Sequence, residues 1–271
     1  MYSYEGKIAF IPGGSMGIGA AIASELAMLG VGIVLFARNE DMLLSTQQRL
    51  KKISRHPSQL VNYYVLDATD FASVQHTFAI AIEKHGTPYF LINCIGIARP
   101  NYFENIHPND FDTIIKTNLY TIWNTTHVLV PYLRKKQRGH IINISSVAGY
   151  IGVFGYTDYS MTKFGIIGFS ESLRQELYKD NIYVSILCPP DTDTPGLAEE
   201  NKTKPKETIA IGGKAALMQP ETVARALIRS IPKHSAIIYP NFDSRFSVVL
   251  KRLFPSLVDR IIKNTIRKVQ K

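Results

Sequence analysis

The chain has few cysteines, no long apolar run and no visible signal peptide, and each absence excludes a class of protein. It holds two cysteines, Cys94 and Cys188, in 271 residues. Each stands in an apolar run typical of a strand, so we expect buried free thiols in a reducing compartment. No apolar run approaches the roughly 20 residues of a membrane-spanning helix, and residues 1–6 lack the apolar core of a signal peptide. We therefore expect a cytoplasmic protein built as one α/β domain.

Acidic residues are scarce in one part of the chain. The formal net charge is +9, and residues 245–271 carry eight Lys or Arg residues against one Asp. The remaining 244 residues hold 23 basic and 21 acidic side chains and are nearly neutral. A neutral body without a platform for base stacking does not favour nucleic-acid binding. We therefore predict a catalytic body at 1–244 and a basic tail at 245–271.

Apolar runs alternate with amphipathic runs along the body. Several apolar runs are nearly continuous Val, Ile, Leu and Tyr, as in strands covered on both faces. The alternation predicts a doubly wound parallel sheet, a Rossmann fold. The predicted strands are 7–11, 32–36, 60–66, 89–93, 140–144, 182–188 and 236–239. The predicted helices are 17–29, 41–54, 71–85, 108–136, 157–179 and 220–230, and residues 189–213 are predicted to form a long lid-like loop.

A glycine-rich segment joins the first predicted strand to the first predicted helix. Glycines let the backbone turn tightly and approach a pyrophosphate, which then meets the helix N-terminus. The alternative is a turn with a purely structural role. The position directly after strand one favours a dinucleotide site, with contacts from Gly13, Ser15, Met16, Gly17, Ile18 and Gly19.

Arg38 stands at the end of the second predicted strand, nineteen residues after Gly19. An acidic side chain there would accept hydrogen bonds from a ribose 2′-hydroxyl, whereas an arginine accommodates a 2′-phosphate. The alternative is that Arg38 only solvates a loop. The sequence predicts NADP(H) rather than NAD(H), and no metal.

Tyr159 and Lys163 lie four residues apart, and Ser146 lies thirteen residues before the tyrosine. On a helix, residues four apart share a face, so the phenol and the ammonium converge. A nearby cation lowers a tyrosine pKa and yields a proton donor for a carbonyl under reduction. Ser146 would hold the carbonyl oxygen. The alternative is a surface Tyr and Lys on an amphipathic helix.

Taken together, these motifs resemble the short-chain dehydrogenase/reductase family over about residues 6–240. The resemblance is carried by the glycine loop, Asp67, Asn93, Cys94, Ile95, Gly96, Asn118, Ser146, Tyr159 and Lys163. It implies that Asp67 contacts the adenine and that Asn93 and Gly96 support the sheet beside the cofactor. It also implies that Lys163 holds the nicotinamide ribose, that Asn118 helps hold a relay water, and that Pro189, Thr192 and Thr194 adjoin the cofactor.

Residues 189–208 are similar to the corresponding loop of 3-ketodihydrosphingosine reductases, as are residues 152–156. That resemblance implies NADPH-dependent reduction of a long-chain amino ketone in sphingolipid synthesis. Asp191 and Asp193 would then face the substrate ammonium, or else cap turns. The alternatives are reduction of another lipid-like ketone (3-oxoacyl, steroid or retinoid-like), and a non-catalytic NADP(H) sensor or scaffold.

The tail pairs apolar residues at three- and four-residue steps with Lys and Arg between them, and Pro255 predicts a break. Such a helix lies in an anionic membrane interface, or else packs on the body or a second subunit. We expect peripheral membrane contact through residues 246–271, on the cytoplasmic face. The family resemblance also implies a homodimer or homotetramer through helices 108–136 and 157–179.

Overall fold

The computed structural model describes residues 2–213 and 217–271. Within them, seven strands form a single parallel sheet in the order β3-β2-β1-β4-β5-β6-β7. The strands are β1 (Ile8–Pro12), β2 (Gly32–Ala37), β3 (Val61–Val65), β4 (Phe90–Asn93), β5 (Gly139–Ile144), β6 (Ile182–Leu187) and β7 (Ile237–Ile238). The predicted doubly wound parallel sheet is confirmed.

Helices cover both faces of the sheet. They are α1 (Gly17–Met28), α2 (Glu40–Ile53), α3 (Phe71–His85), α4 (Pro108–Ile115), α5 (Thr121–Lys136), α6 (Thr157–Leu177), α7 (Pro195–Glu200), α8 (Lys206–Gly212), α9 (Pro220–Ser230), α10 (Phe242–Leu253) and α11 (Pro255–Gln270). One core cluster joins α1, α2 and α9 to the sheet, and a second joins α3 and α5 to the opposite face. Burial on both faces explains the nearly continuous apolar strands.

Side-chain caps fix where several helices begin. The Oδ1 atom of Asn39 accepts the backbone N–H of Met42 at 2.9 Å and starts α2. Asp70 accepts two backbone N–H groups at the start of α3. These contacts satisfy N–H groups that the first helical turn leaves without partners.

The predicted helix 108–136 is not continuous. A π-helical segment, Lys116–Tyr120, separates α4 from α5. Its member Asn118 is fully buried and is bonded to the backbone of Ile97, so its side chain is committed to the loop after β4. Such π segments occur often at functional sites. Helical periodicity does not reveal this change of register.

Two short helices occupy much of the predicted loop 189–213. Thr194 caps α7 by accepting the backbone N–H of Leu197, and Pro195 follows at the first helical position. Helix α8 packs against α11, so this segment is tied to the end of the chain. Residues 214–216, which follow the segment, lie outside the described residues.

The tail forms two helices, and the predicted break at Pro255 is confirmed. Helix α10 starts at Phe242, so the proposed division between residues 244 and 245 falls inside it. Within residues 2–213 and 217–271, no helix combines the length and the apolar character that a bilayer crossing requires.

Candidate active site

The candidate site lies at the carboxyl edge of the sheet, between β1 and β4, where the strand order reverses. Connections leave β1 and β4 toward opposite sides of the sheet, which opens a crevice beyond their carboxyl ends. The turn after β1 is held by the backbone: Gly13 donates to Phe36, and Cys94 donates to Pro12, at 2.8 and 2.9 Å. The glycine loop therefore sits in the crevice.

Two glycines of this loop have no room for a side chain. Gly13 has a φ of 80°, and a Cβ atom there would lie 2.7 Å from the backbone of Cys94 and Ile95. A Cβ atom on Gly19 would lie 2.2 Å from the carbonyl oxygen of Gly13. The two glycines therefore keep the turn narrow, and its backbone passes close to the N-terminus of α1.

The N-terminus of α1 suits an anion. Met16, at the capping position, makes no side-chain cap, and the first turn of this fully described helix holds no acidic residue. Its free N–H groups and the helix dipole favour a phosphate. Of the other predicted contacts, Ser15 uses its carbonyl to accept from Thr46, and Ile18 packs on the core. These residues fit the pyrophosphate of a dinucleotide.

Arg38 and Asp67 mark the outer end of the crevice. Both side chains are exposed and follow neighbouring strands, β2 and β3. The Asp67 carboxylate accepts the backbone N–H and the hydroxyl of Thr69 at 2.9 and 2.7 Å. Both residues stand where the predicted adenosine end would lie, and their contacts to it remain predictions.

Asn93 braces the sheet from the end of β4. Its side-chain amide donates to Asn143 at 2.8 Å, and its oxygen accepts from Thr125 at 2.8 Å. Gly96, three residues on, faces the catalytic candidates: a Cβ atom there would lie 3.2 Å from Nζ of Lys163 and 3.6 Å from Oδ1 of Asn118. The segment after β4 therefore joins the glycine loop to the catalytic candidates.

The side chain of Asn118 forms hydrogen bonds with residues on two neighbouring segments. Its Oδ1 accepts from the N–H of Ile97, and its Nδ2 donates to the carbonyl of Ile97 and to the hydroxyl of Thr162. Thr162 lies on α6 between Tyr159 and Lys163. Asn118 thus holds α6 against the loop after β4. Its predicted water contact remains a prediction.

Tyr159 and Lys163 converge on the first turns of α6, as their spacing predicts. The Lys163 ammonium lies 5.4 Å from the centre of the Tyr159 ring. It donates to the carbonyl of Ile144, at the end of β5, at 3.0 Å. Lysine 163 is 4% exposed, and this burial lowers its pKa to about 8.

The two adjacent serines have separate roles. Ser145 is buried and donates to the carbonyl of Lys163 at 2.9 Å, which fixes α6 to β5. Ser146 is only partly buried and accepts the backbone N–H of Ala148 at 3.1 Å. Its hydroxyl also lowers the pKa of Tyr159, against the larger effects of burial and Glu200. Ser146 is therefore the serine beside the phenol.

The net effect on Tyr159 opposes the sequence prediction of a lowered pKa. Burial raises the pKa of Tyr159 most, followed by the charge of Glu200, and Asp191 adds to the rise. The prediction was wrong because it weighed Lys163 alone and foresaw neither the burial of the phenol nor the two carboxylates near it. At neutral pH the phenol is protonated, which is the form that a proton donor requires.

The loop after β6 closes the site from the other side. The side chain of Thr194 would touch a Cβ atom on Gly17 at 3.3 Å, so it lies against the start of α1. Thr192 is buried and donates to the carbonyl of Pro190, and the carbonyl of Pro189 accepts from Val147. The three predicted residues of this loop, Pro189, Thr192 and Thr194, therefore border the crevice.

Comparison with known proteins now decides the family. The short chain dehydrogenase model matches residues 7–205, which include the glycine loop, Asn118, Ser146, Tyr159 and Lys163. The chain belongs to the short-chain dehydrogenase family.

The named relatives of this chain differ in the substrates that their names give. A mouse protein named 3-ketodihydrosphingosine reductase is 38% identical over 86% of this chain and 69% of its own length. A 3-oxoacyl-[acyl-carrier-protein] reductase of Thermotoga maritima is 32% identical over 83% of this chain and 89% of its own. The structure of a short-chain dehydrogenase from Burkholderia phymatum, in complex with NAD, superposes with a TM-score of 0.83 at 22% identity, covering 95% and 96% of the two chains.

Sequence reasoning named Asp191 in this short-chain dehydrogenase but missed the residues grouped with it. Tyr156 is buried, its ring centre lies 5.5 Å from that of Tyr159, and its hydroxyl donates to Glu200. The Nζ atom of Lys204 lies 3.1 Å from Glu200 and 3.6 Å from Asp191. We call Asp191, Glu200 and Lys204 the ion cluster. No local pattern marks its link to the site, because Glu200 meets Tyr156 only through the fold of residues 189–213.

Metal binding by this family member would require several ligating side chains close together. Across residues 2–213 and 217–271, no three His, Cys, Asp or Glu side chains are grouped so as to hold a metal ion. The two thiols stay protonated, since burial raises the pKa of Cys94 and of Cys188 to about 12.

Proposed function

We propose that this short-chain dehydrogenase uses NADPH to reduce the 3-keto group of a long-chain amino ketone, converting 3-ketosphinganine into sphinganine. The observation that carries the chemistry is the convergence of Tyr159, Lys163 and Ser146 beside the glycine loop. The similarity to the mouse reductase supports the substrate class and a place in sphingolipid synthesis.

In the proposed reaction the ketone carbon would accept a hydride, the chemistry that NADPH supplies when it is bound in this crevice. Tyr159, protonated at neutral pH, donates its proton to the carbonyl oxygen as that oxygen gains electrons. Ser146 donates a hydrogen bond to the same oxygen and stabilises the developing charge. Each turnover thus adds one hydride and one proton and leaves an alcohol.

Lys163 and Asn118 act on the geometry and the charge of this centre. The Lys163 ammonium is held by the carbonyl of Ile144 and stabilises the phenolate that remains after proton transfer. In its protonated form Lys163 also has donors to spare for a ribose hydroxyl. Asn118 keeps α6 in register with the loop after β4 through Thr162. Both residues therefore hold Tyr159 in position for the transfer.

NADP(H) is the proposed cofactor because an arginine lies at the outer end of the crevice. Arg38 is exposed at the end of β2, where a 2′-phosphate would lie. A guanidinium binds a phosphate through paired hydrogen bonds, whereas the 2′-hydroxyl of NAD(H) prefers an acid at this place. The contacts of Asp67 with the adenine and of Thr192 and Thr194 with the carboxamide region belong to the same proposal.

A substrate panel tests this function. NADPH oxidation is followed with 3-ketosphinganine, with a short-chain β-keto thioester and with a steroid ketone. We expect the highest kcat/KM for 3-ketosphinganine. A preference for the thioester would instead support the acyl reductase function, which the Thermotoga relative favours. NADPH binding without turnover of any ketone would support a sensor or scaffold.

We also propose that the tail contacts a membrane. Four apolar side chains of α10 recur at helical spacing and are exposed: Phe242, Phe246, Val249 and Leu253. Phe254, between the two helices, and Leu257 and Ile261 on α11 extend them. The exposed Arg245, Arg252, Arg260 and Lys263 flank these apolar residues. We call these apolar residues the tail face. An apolar face flanked by cations suits the interface of an anionic bilayer.

The opposite side of the tail packs on the body. Val248 and Val258 are buried, α11 packs on α8, and Gln270 donates to Glu207 at 3.2 Å. The two alternatives for the tail are therefore compatible, because different faces of the same helices serve them. Under the proposal the protein is peripheral, on the cytoplasmic face of the membrane that holds its lipid substrate.

We further propose a homodimer or homotetramer through α5 and α6. A groove of about 660 Å³ lies between them, with Phe71, Trp123 and Phe169 in its walls. Trp123 is 48% exposed, and Tyr120, Met161 and Phe164 are exposed near it. An apolar surface of this kind is typical of a subunit interface. Sedimentation of the Trp123→Glu variant as a monomer would support this assembly.

A further inference from the structure

The ion cluster lies next to the reactive phenol and has no part in the proposed proton transfer. The side chains of Glu200 and Lys204 are 15% and 9% exposed, whereas that of Asp191 is 60% exposed. Tyr156 connects the cluster to Tyr159: its hydroxyl donates to Glu200, and its ring lies beside the Tyr159 ring. A carboxylate this buried requires a reason other than solubility.

The charges of the cluster do not cancel. Two carboxylates, those of Asp191 and Glu200, face the one ammonium of Lys204. Both carboxylates raise the pKa of Tyr159, so they oppose the phenolate that forms when the phenol gives up its proton. A second cation bound at the cluster would remove this opposition. The position of Lys204 shows that an ammonium group fits between these carboxylates.

The proposed substrate brings such a cation to this place. Its amine is carried by the carbon next to the ketone carbon, and an aliphatic amine is protonated at neutral pH. When the carbonyl oxygen meets Tyr159 and Ser146, the ammonium group must therefore lie close to the same phenol. A neutral ketone or a thioester has no charge to offer there.

We propose that Glu200, assisted by Asp191, binds the substrate ammonium and selects 2-amino ketones over ketones without an amine. This inference rests on the proposed function, because it assumes an amino ketone substrate. It replaces the sequence hypothesis for Asp193, whose carboxylate accepts from Gln219 at 3.2 Å. Tyr156 orients Glu200, and the Lys204 ammonium pairs with both carboxylates until the substrate ammonium competes for them.

The test compares Glu200→Gln with Glu199→Gln. Glu199 is the adjacent residue, is 72% exposed and pairs with Lys202, so it controls for the loss of one charge on α7. Both variants and the wild type are assayed with 3-ketosphinganine and with the long-chain ketone of equal length that lacks the amine. NADPH affinity and thermal unfolding are measured alongside to show that each variant is folded.

A selective loss is the expected result. Glu200→Gln should lower kcat/KM for the amino ketone by about 10- to 100-fold, the effect of losing a hydrogen bond to a charged group. Its kcat/KM for the ketone without the amine should stay within about threefold, and Glu199→Gln should match the wild type. Equal losses on both ketones would show a merely structural role for Glu200 and overturn the inference.

The same assay separates this inference from the proposed function. If the wild type prefers the amino ketone and Glu200→Gln keeps that preference, the inference fails and the function stands. If the wild type reduces only ketones without an amine, the function fails and the inference with it.

A second variant is expected to improve binding of the amino ketone rather than weaken it. Lys204→Gln removes the competing ammonium and should lower KM for the amino ketone by about threefold or more, with no such decrease for the neutral ketone. A network with only a structural role predicts a rise of KM for both substrates, and that outcome would also overturn the inference.

Discussion

The two sides of the crevice are held together by different kinds of contact. On the nucleotide side, formed by residues 12–38 and 93–97, backbone meets backbone, and Gly13 and Gly19 leave no space for a methyl group. On the proposed substrate side, formed by residues 98–106, 150–156 and 189–213 with the tail packed on α8, side chains join distant segments. Tyr102 and Gln270 both donate to the carboxylate of Glu207, across 105 and 63 residues. The first side is rigid by sterics, and the second depends on a few polar contacts.

The largest expected effect lies where the two sides meet. Tyr159→Phe should lower kcat by about 100- to 10,000-fold, because it removes the proton donor. The dissociation constant for NADPH should change by less than about threefold. Tyr178→Phe is the matched control, since it removes an exposed phenol hydroxyl just beyond the opposite end of α6. Steady-state kinetics with 3-ketosphinganine would contradict this assignment if both variants lost activity equally.

The second prediction tests the steric character of the nucleotide side. Gly13→Ala places a methyl group 2.7 Å from the backbone of Cys94, at a φ of 80°. We expect the free energy of unfolding to fall by about 2 kcal/mol or more and NADPH binding to weaken. Gly168→Ala, on α6, has open space and should stabilise the protein by about 1 kcal/mol. Chemical denaturation measures both, and similar changes would contradict the steric account.

A pH series probes the lysine between the two sides. Burial lowers the pKa of Lys163 from 10.5 to about 8, so below pH 8 both the folded and the unfolded state carry the ammonium, and its burial cost is fully present. As pH rises from about 8 toward 10.5, the folded state loses the proton first and this cost is relieved. The wild type should therefore gain up to about 3 kcal/mol of stability relative to Lys163→Met over this range. A constant difference between the two proteins would contradict the lowered pKa.

The fourth prediction concerns Arg38 and the cofactor preference of the nucleotide side. Arg38→Ala should raise the dissociation constant for NADPH by about 10- to 100-fold, since a charged hydrogen bond to the 2′-phosphate is lost. Binding of NADH should change by less than about threefold. Fluorescence titration measures both constants, with Arg49→Ala as a control on α2. A wild-type preference for NADH would rule out this role of Arg38.

The smallest effect on the fold is expected on the tail face. Phe246→Ser combined with Leu253→Ser should weaken binding to anionic vesicles by about 10-fold or more, because both exposed side chains lose apolar area. Thermal stability should hardly change. Val258→Ser is the matched control, since Val258 is buried and should lower stability while leaving the tail face intact. Unchanged vesicle binding of the double variant would count against membrane contact.

The same contrast explains how far the sequence predicts this molecule. The glycine spacing, Arg38 at the end of β2 and the step from Tyr159 to Lys163 are local patterns, and the structure brings these residues to one crevice. The parallel sheet follows from the alternation of strands and helices. These features depend on neighbours in the chain, and a single sequence displays them.

Other features depend on contacts that the sequence does not display. The π segment around Asn118 arises from hydrogen bonds to Ile97, and helical periodicity alone predicts one continuous helix. The raised pKa of Tyr159 arises from burial and from Glu200, which reaches the site through Tyr156 across 44 residues. Helices α7 and α8 escaped prediction because both are short and their polar sequence resembles a loop.

The most direct measurement of the central claim mixes NADPH with 3-ketosphinganine and the purified wild-type protein and identifies the product by mass spectrometry. The account predicts one sphinganine formed for each NADPH oxidised, and product formation slower by about 100-fold or more with Tyr159→Phe at equal NADPH occupancy. Sphinganine formed at the wild-type rate by Tyr159→Phe would contradict it, because the reaction would then not need the phenol that Lys163 and Ser146 surround.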